Sequence, residues 1–297
     1  MLDTKVKKFM AIGIDNPITE RLIQLNDNLK FDIGYESTRL ASKKYVINSL
    51  TDTPIGIVGK SFNTTSHLKF IDGVENVIKD NRTPYELENA SVKISTAKDN
   101  AVIIADITLP NVTTKVTTDK HTTTIAERII ALHGVDGSMS NQVFFGAIDF
   151  FCTNGQIRGE YDKVRRKNTS GFSIDTFIDE LQNAKQDFYA QSKKLQSWAN
   201  IKLDGVDVAE IIKNIVKSDR KAEKMSSLYY NEVATRGSNV FSLYSAFTNY
   251  SSYADERNGF SLKNMGNDTE SLSMWNREQE VSKWISSNEF KKLELVA

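Results

Sequence analysis

Hydrophobic and polar positions follow two different patterns along the 297 residues, and the change comes near residue 170. Before that point, short β-branched runs are separated by turn-forming residues, a pattern typical of β-hairpins. After it, apolar residues recur about every 3.6 positions, which predicts amphipathic helices. We therefore expect an α+β fold, with a strand-rich domain at residues 1–170 and a helical region at 171–297, packed as one unit or as two intimate ones.

The first half predicts antiparallel β-hairpins and one packed helix. KYVINSL and IGIVGKSF flank the turn TDTP in the first hairpin, and ASVKISTA and AVIIADITL flank KDN in the second. Between them, Leu68, Ile71, Val74 and Ile78 lie at helical spacing and predict a helix over 65–79. ERIIALHG and VFFGAIDFFCT predict two more strands. Residues 111–124 hold seven threonines, which predicts a long exposed β-ribbon or loop.

The second half predicts five helices. The first carries an apolar stripe that runs from Ile174 to Trp198. The predicted start residues are Ser173, Asp207 (three positions before Glu210), Ser218 or Asp219, Asn239 and Asp268, and the third and fourth helices end near Gly237 and Gly259. The stretch ERNGFSLKNMGNDTES is the clearest loop of this half.

Composition narrows the class of protein. The chain is 39% apolar and has a formal net charge of zero, and its apolar runs are too short for a membrane span. The N-terminal residues lack the apolar core of a signal peptide, so we expect a cytoplasmic protein. The single cysteine, Cys152, excludes an intrachain disulfide framework and a multi-cysteine zinc site. A core thiol is the plainer interpretation of Cys152.

Charge is concentrated in one segment, residues 151–170, which we interpret as a basic hairpin arm. Five cations face only Glu160 and Asp162 there, a net charge of +3. Such a run is either a solvated surface or a grip on phosphates, and both interpretations stay open. The candidate nucleic-acid-binding residues are Arg158, Lys163, Arg165, Arg166 and Lys167.

No catalytic constellation, metal site or cofactor motif is predicted, so we expect no enzyme. His67, His121 and His133 are not at metal-ligand spacing and favour structural or surface roles. The segment Asp136-Gly137-Ser138 is typical of a turn, although its amides could cradle a phosphate. In the aromatic run at 227–257, Leu243, Phe247 and Tyr250 lie at core spacing rather than in a stacking platform.

Several stretches together resemble the phage/plasmid-like proteins of domain-of-unknown-function family 932. They are YVINSLTDTPIGIVGKSFNTTSHLKFID, GVDGSMSNQV, FFCTNGQI and LYSAFTNYSSYADE, and they span about residues 41–257. The chain departs from the resemblance after the basic strand, where many relatives have a histidine and this sequence has Lys167 and Asn168. The resemblance implies a bacteriophage or mobile-element context and no mechanism. At fold level there is an analogy to phage single-strand annealing proteins of the Red-beta and ERF class.

The leading hypothesis is a phage-encoded, non-enzymatic protein that binds single-stranded nucleic acid in DNA replication or recombination, and the analogy to annealing proteins extends this hypothesis to strand annealing. The basic arm would neutralise phosphates without reading bases, and a homo-oligomer would align several arms. The alternative is a protein-interaction partner or a virion or assembly component that does not bind nucleic acid. A metal-dependent nuclease is a third alternative, because carboxylates are plentiful but form no motif.

Overall fold

A computed structural model describes residues 21–149, 155–157, 163–183, 188–257 and 267–294. A three-stranded antiparallel sheet comes first, in the order β1 (Ile33–Ser37), β2 (Lys43–Asn48) and β3 (Thr53–Gly59). β2 and β3 are the first predicted hairpin. β1 was not predicted, because the segment IGYES is half polar and largely exposed and so lacks the apolar alternation of a buried strand.

Helix α1 (His67–Asp80) confirms the helix predicted over 65–79. Ser66 is its N-cap and accepts a hydrogen bond from the backbone NH of Lys69, and the apolar face is buried. A short helix, α2 (Pro84–Leu87), follows with a capping box between Thr83 and Glu86. Local capping signals therefore define both helix starts.

The second sheet has the strand order β4-β5-β6-β7-β8, and β9 also pairs with β7. Its strands are β4 (Ser91–Ala97), β5 (Val102–Thr117), β6 (Thr122–Gly134), β7 (Asn141–Asp149), β8 (Gly155–Ile157) and β9 (Lys163–Arg166). β4 and β5 form the second predicted hairpin.

The threonine-rich stretch at 111–124 is extended, as expected, but it is not an exposed ribbon. Val112, Val116 and Thr123 are buried. At its tip, the amide side chain of Gln196 donates to the carbonyl of Thr117 and accepts from its NH, each at 2.8 Å. Alternate residues of a strand point to the same face of the sheet, and one face of this stretch is buried. The tip is in addition hydrogen-bonded to a helix of the same unit.

The remaining elements are helical, which confirms the α+β class with a helical C-terminal half. They are α3 (Ile174–Asn183), α4 (Phe188–Asn200), α5 (Val208–Val216), α6 (Asp219–Arg236), α7 (Val240–Arg257), α8 (Asn267–Ile285) and α9 (Asn288–Leu293). The predicted N-caps Asp207 and Asn239 accept from the backbone NH groups of Glu210 and Ser242. Helix α9 was not predicted. No helix in the described ranges is both long and apolar enough to cross a bilayer.

Contacts divide the chain into two compact units that do not follow a single boundary. Unit 1 comprises Met1–Val112, Ile130–Val143 and Val164–Lys185, and unit 2 comprises Thr113–Ile129, Phe144–Lys163 and Gln186–Ala297. The predicted boundary at residue 170 falls within the third segment of unit 1. The division cuts strands β5, β6, β7 and β9, so each unit is assembled from segments distant in sequence.

Within unit 1, the packing of α1 against α3 fixes where α3 lies. The rings of Phe70 and Phe177 have centroids 5.6 Å apart. Gly73 faces Ile178 so closely that a Cβ at position 73 would lie 2.4 Å from the Ile178 Cδ1 atom. Glycine at this position therefore leaves room for the Ile178 side chain, and a larger residue would require that side chain to change its rotamer or α3 to shift.

Candidate nucleic-acid interface

The described part of the basic segment is a strand in the sheet. Residues Lys163–Arg166 form β9, which pairs with β7, so they do not project as the expected hairpin arm. Val164 is buried, whereas Arg165 and Arg166 are exposed. Pairing with β7 provides backbone hydrogen bonds along one edge of β9 and holds the strand from which its cations leave the sheet.

An open cleft of about 420 Å³ lies beside β9, within unit 1. Three of the five predicted site residues, Arg165, Arg166 and Lys167, line it together. The rest of the lining comes from the following turn and the start of α3, namely Thr169, Gly171, Phe172, Ser173, Thr176 and Phe177. Arg165 and Arg166, at the end of β9, and Lys167, directly after it, thus line one concave surface.

Arg165 and Lys167 are the available cations of this cleft. Nε of Arg165 donates to Oγ of the buried Ser140 at 2.8 Å, which holds the guanidinium in place through a neutral partner. Lys167 is exposed. Within the described part of the chain, neither side chain is paired with a carboxylate.

Arg166 has a different environment. Its guanidinium forms a two-bonded ion pair with the carboxylate of Glu180 on α3, with Nε and Oε2 2.6 Å apart. Asp175, in the first turn of α3, adds a further exposed negative charge nearby in the chain. Among the described residues, the cleft therefore combines two cations that have no carboxylate partner with one arginine that is paired with Glu180.

Asn168 anchors the turn after β9. It is one of the two residues at which the sequence departs from the family resemblance. Asn168 Nδ2 donates to the carbonyl of Gly134 at 2.8 Å, and Asn168 Oδ1 accepts from Asn141 Nδ2 at 2.6 Å. Both asparagines are buried. These bonds tie the turn to the end of β6 and the start of β7, which fixes Lys167 and the cleft wall.

The floor of the cleft offers no stacking surface for a base. Phe172 and Phe177 line the cleft, but both rings are buried in the core of unit 1. The groups that the cleft exposes are cationic side chains and the hydroxyls of Thr169, Ser173 and Thr176. That chemistry suits phosphate groups and does not discriminate between bases.

The family model described as "Domain of unknown function (DUF932)" matches residues 54–286. The chain belongs to this family. No curated protein and no solved structure matches it. The DUF932 match includes the whole cleft and confirms the family suggested by the sequence stretches, and the printed description assigns no activity.

The other two predicted site residues of this DUF932 chain are not placed in the cleft. Arg158 lies outside the described residues, as does Cys152, and only the backbone of Lys163 is described. Sequence reasoning missed Ser140, Glu180 and the two asparagines. No local pattern could have found these contacts, since the partners lie 14 to 34 positions apart.

A second concentration of cations, at residues 213–224, was also missed. Five cations face two carboxylates there. Lys213 pairs with Asp219 at 3.0 Å and Lys221 with Glu280 at 2.5 Å, and Arg220 and Lys224 also have interaction partners. At least two of these five cations are therefore paired with carboxylates of unit 2.

The histidines of unit 1 form a buried pair. His67 Nδ1 and His133 Nδ1 are 2.7 Å apart, and His67 Nε2 lies 2.8 Å from the carbonyl of Asn100. Because a carbonyl only accepts, His67 donates through Nε2 and accepts at Nδ1 from His133. Burial lowers the pKa of His67 to about 4 and that of His133 well below its usual value. Across the described residues, no group of three or more His, Cys, Asp or Glu side chains could hold a metal ion.

Two further candidate segments have structural roles. Asp136 Oδ1 accepts from both the NH and the hydroxyl of Ser138, at 3.0 and 2.6 Å, so that amide is not free to cradle a phosphate. Leu243 and Phe247 are fully buried in unit 2, which confirms core packing for these two residues of the aromatic run, whereas Tyr250 is half-buried and Tyr230 is exposed.

Proposed function

We propose that this DUF932 protein binds single-stranded nucleic acid by holding its phosphates in the cleft formed by Arg165, Arg166 and Lys167. One observation carries the proposal: two cations without a carboxylate partner in the described chain line one open cleft with a third. Exposed arginine and lysine side chains neutralise phosphates in a sequence-independent way. Binding requires no chemical step, so the proposed role is non-enzymatic.

The context proposed for this binding is DNA replication or recombination of a bacteriophage, in the cytoplasm of its host. A grip that contacts phosphates and leaves the bases free would keep a strand competent to pair with its complement. Strand annealing is therefore the activity that we propose to follow from binding. Its support is the fold-level analogy to phage annealing proteins and the buried aromatic floor of the cleft.

A charge-matched pair of variants tests the binding proposal. The Arg165→Ala/Lys167→Ala variant removes both unpaired cations, and we expect about tenfold weaker binding of a fluorescent 20-nucleotide oligothymidylate at 50 mM salt. The slope of log affinity against log salt should become shallower by about 1.4, since each single-strand phosphate contact contributes about 0.7. Fluorescence anisotropy measures both quantities.

The control is Arg39→Ala/Lys60→Ala, which removes one exposed arginine and one exposed lysine elsewhere in unit 1. It lowers the net charge equally and should bind almost as the original protein does. Equal weakening by the two double variants, or no binding by the unmodified protein at 50 mM salt, would refute a phosphate site at the cleft.

A protein-interaction role is the second candidate, and the three-stranded sheet favours it. Leu40, Leu50 and Ile57, in or beside its strands, are each about 60% exposed, at 64%, 59% and 61%. Exposed apolar side chains mark a contact surface where they form one contiguous patch, and this candidate requires that these three side chains do so. Capture of a protein partner that survives nuclease treatment, with no oligonucleotide binding, would support this role over the first.

A further inference from the structure

The cleft contains a contact that phosphate must displace. Arg166 presents Nε and one terminal nitrogen to the two oxygens of Glu180. A phosphate binds arginine through the same planar edge, because both anions offer two acceptor oxygens at matching spacing. Arg166 is therefore positioned at the cleft with its recognition edge occupied by a carboxylate.

The neighbouring arginine shows the contrast. Arg165 uses Nε for the neutral hydroxyl of Ser140, and its terminal nitrogens have no carboxylate partner among the described residues. Two consecutive arginines of one strand thus differ in availability. The difference comes from α3, which brings Glu180 to Arg166 across 14 positions of the chain.

Solvent exposure makes the Glu180 contact displaceable. The Arg166 side chain is 54% exposed and that of Glu180 is 31% exposed. For an exposed ion pair, the equilibrium favours the paired over the separated side chains by about fivefold or less, because water and salt screen the attraction. A polyanion at high local concentration can compete at that level, which it could not do against a buried pair.

We propose that Glu180 competes with nucleic-acid phosphate for Arg166 and thereby sets the affinity of the cleft. With Glu180 in place the cleft grips through Arg165 and Lys167, and release of Glu180 adds Arg166 as a third phosphate contact. The inference rests on the proposed function, since it describes regulation of the same site. It predicts that neutralising one carboxylate strengthens binding beyond the general effect of added positive charge.

The test compares Glu180→Gln with Asp179→Asn. Both variants remove one negative charge from adjacent positions of α3, but Asp179 is exposed and is not paired with a cation in the described chain. We expect Glu180→Gln to bind the 20-nucleotide oligothymidylate about two- to fivefold more tightly than Asp179→Asn at 50 mM salt. Melting followed by circular dichroism establishes that both variants fold.

Arg166→Ala completes the design. Added to Glu180→Gln, it should abolish the gain, and alone it should weaken binding less than Arg165→Ala does. Equal affinities of Glu180→Gln and Asp179→Asn, or a gain that persists without Arg166, would overturn the competition. If Arg165→Ala/Lys167→Ala still loses binding in that case, the proposed function stands and only the role of Glu180 fails. If neither the unmodified protein nor Glu180→Gln binds the oligonucleotide, the proposed function and the role of Glu180 are both refuted.

Discussion

At the scale of single residues, the buried pair of His67 and His133 makes stability depend on pH. Folding holds the pKa of His67 at about 4, compared with about 6.5 in the unfolded chain, and also lowers the pKa of His133. The unfolded state therefore binds more protons below pH 6.5. We expect the contribution of this pair to the free energy of unfolding to be complete above pH 6.5. It should decrease as the pH falls toward 4, by about 3 kcal/mol for His67 alone.

Urea unfolding at pH 7 and at pH 4.5 measures this loss. His67→Gln keeps a donor for the carbonyl of Asn100 and removes one titrating ring, so its loss over the same interval should be smaller. NMR gives a second measurement on the folded protein, in which the ring signals of His67 should not titrate between pH 8 and pH 5. A full titration near pH 6.5 would contradict burial of the neutral pair.

At the scale of elements, a buried ion pair joins β7 to α6 in unit 2. Arg236 donates to Asp149 Oδ2 at 2.6 Å and also pairs with Glu232, and Thr123 Oγ1 lies 2.5 Å from Asp149 Oδ1. All four side chains are buried. Asp149→Asn keeps the shape but removes the charge that faces Arg236, and should lower the free energy of unfolding by about 3 kcal/mol.

The comparison is Asp119→Asn, which removes the charge from an ion pair with Lys202 at the tip of the β5–β6 hairpin. The Asp119 side chain is 71% exposed, so the same chemical change should cost less than about 1 kcal/mol. Urea unfolding of both variants gives the two values. Similar small losses would show that the Arg236 network does not hold β7 and α6 together.

At the scale of the whole molecule, we propose that the protein is a homo-oligomer. One cleft with two available cations binds weakly, and copies that align their clefts along one strand would raise the net affinity without new contacts. The tip of the threonine-rich hairpin is bonded to Gln196, so it is not an open edge for pairing. Among the described strands, β1 and β3 are the edges of their sheet and are the better candidates for subunit contacts.

Light scattering at tens of micromolar measures the assembly, and we expect a mass that is a multiple of 33.4 kDa. The Arg165→Ala/Arg166→Ala variant should fold and assemble normally but should lose binding cooperatively. A strict monomer at that concentration, or undiminished binding by the variant, would contradict assembly as the source of affinity.

The sequence by itself determined the α+β class, the two predicted hairpins, helix α1 and most helix starts of the second half. These features depend on periodicity and on caps such as Asp207, whose partner Glu210 lies three residues away. Local signals of this kind are complete within one segment, so they can be read without knowing the fold.

Only the tertiary structure decided which cations are available and how the two units are assembled. Arg165 and Arg166 are consecutive and chemically identical in the sequence, yet one meets Ser140 and the other Glu180. His67 and His133 are 66 positions apart, and Asp149 and Arg236 are 87 apart. Such pairs form because strands and helices from distant segments share one core, and no local pattern records which distant residue will face which.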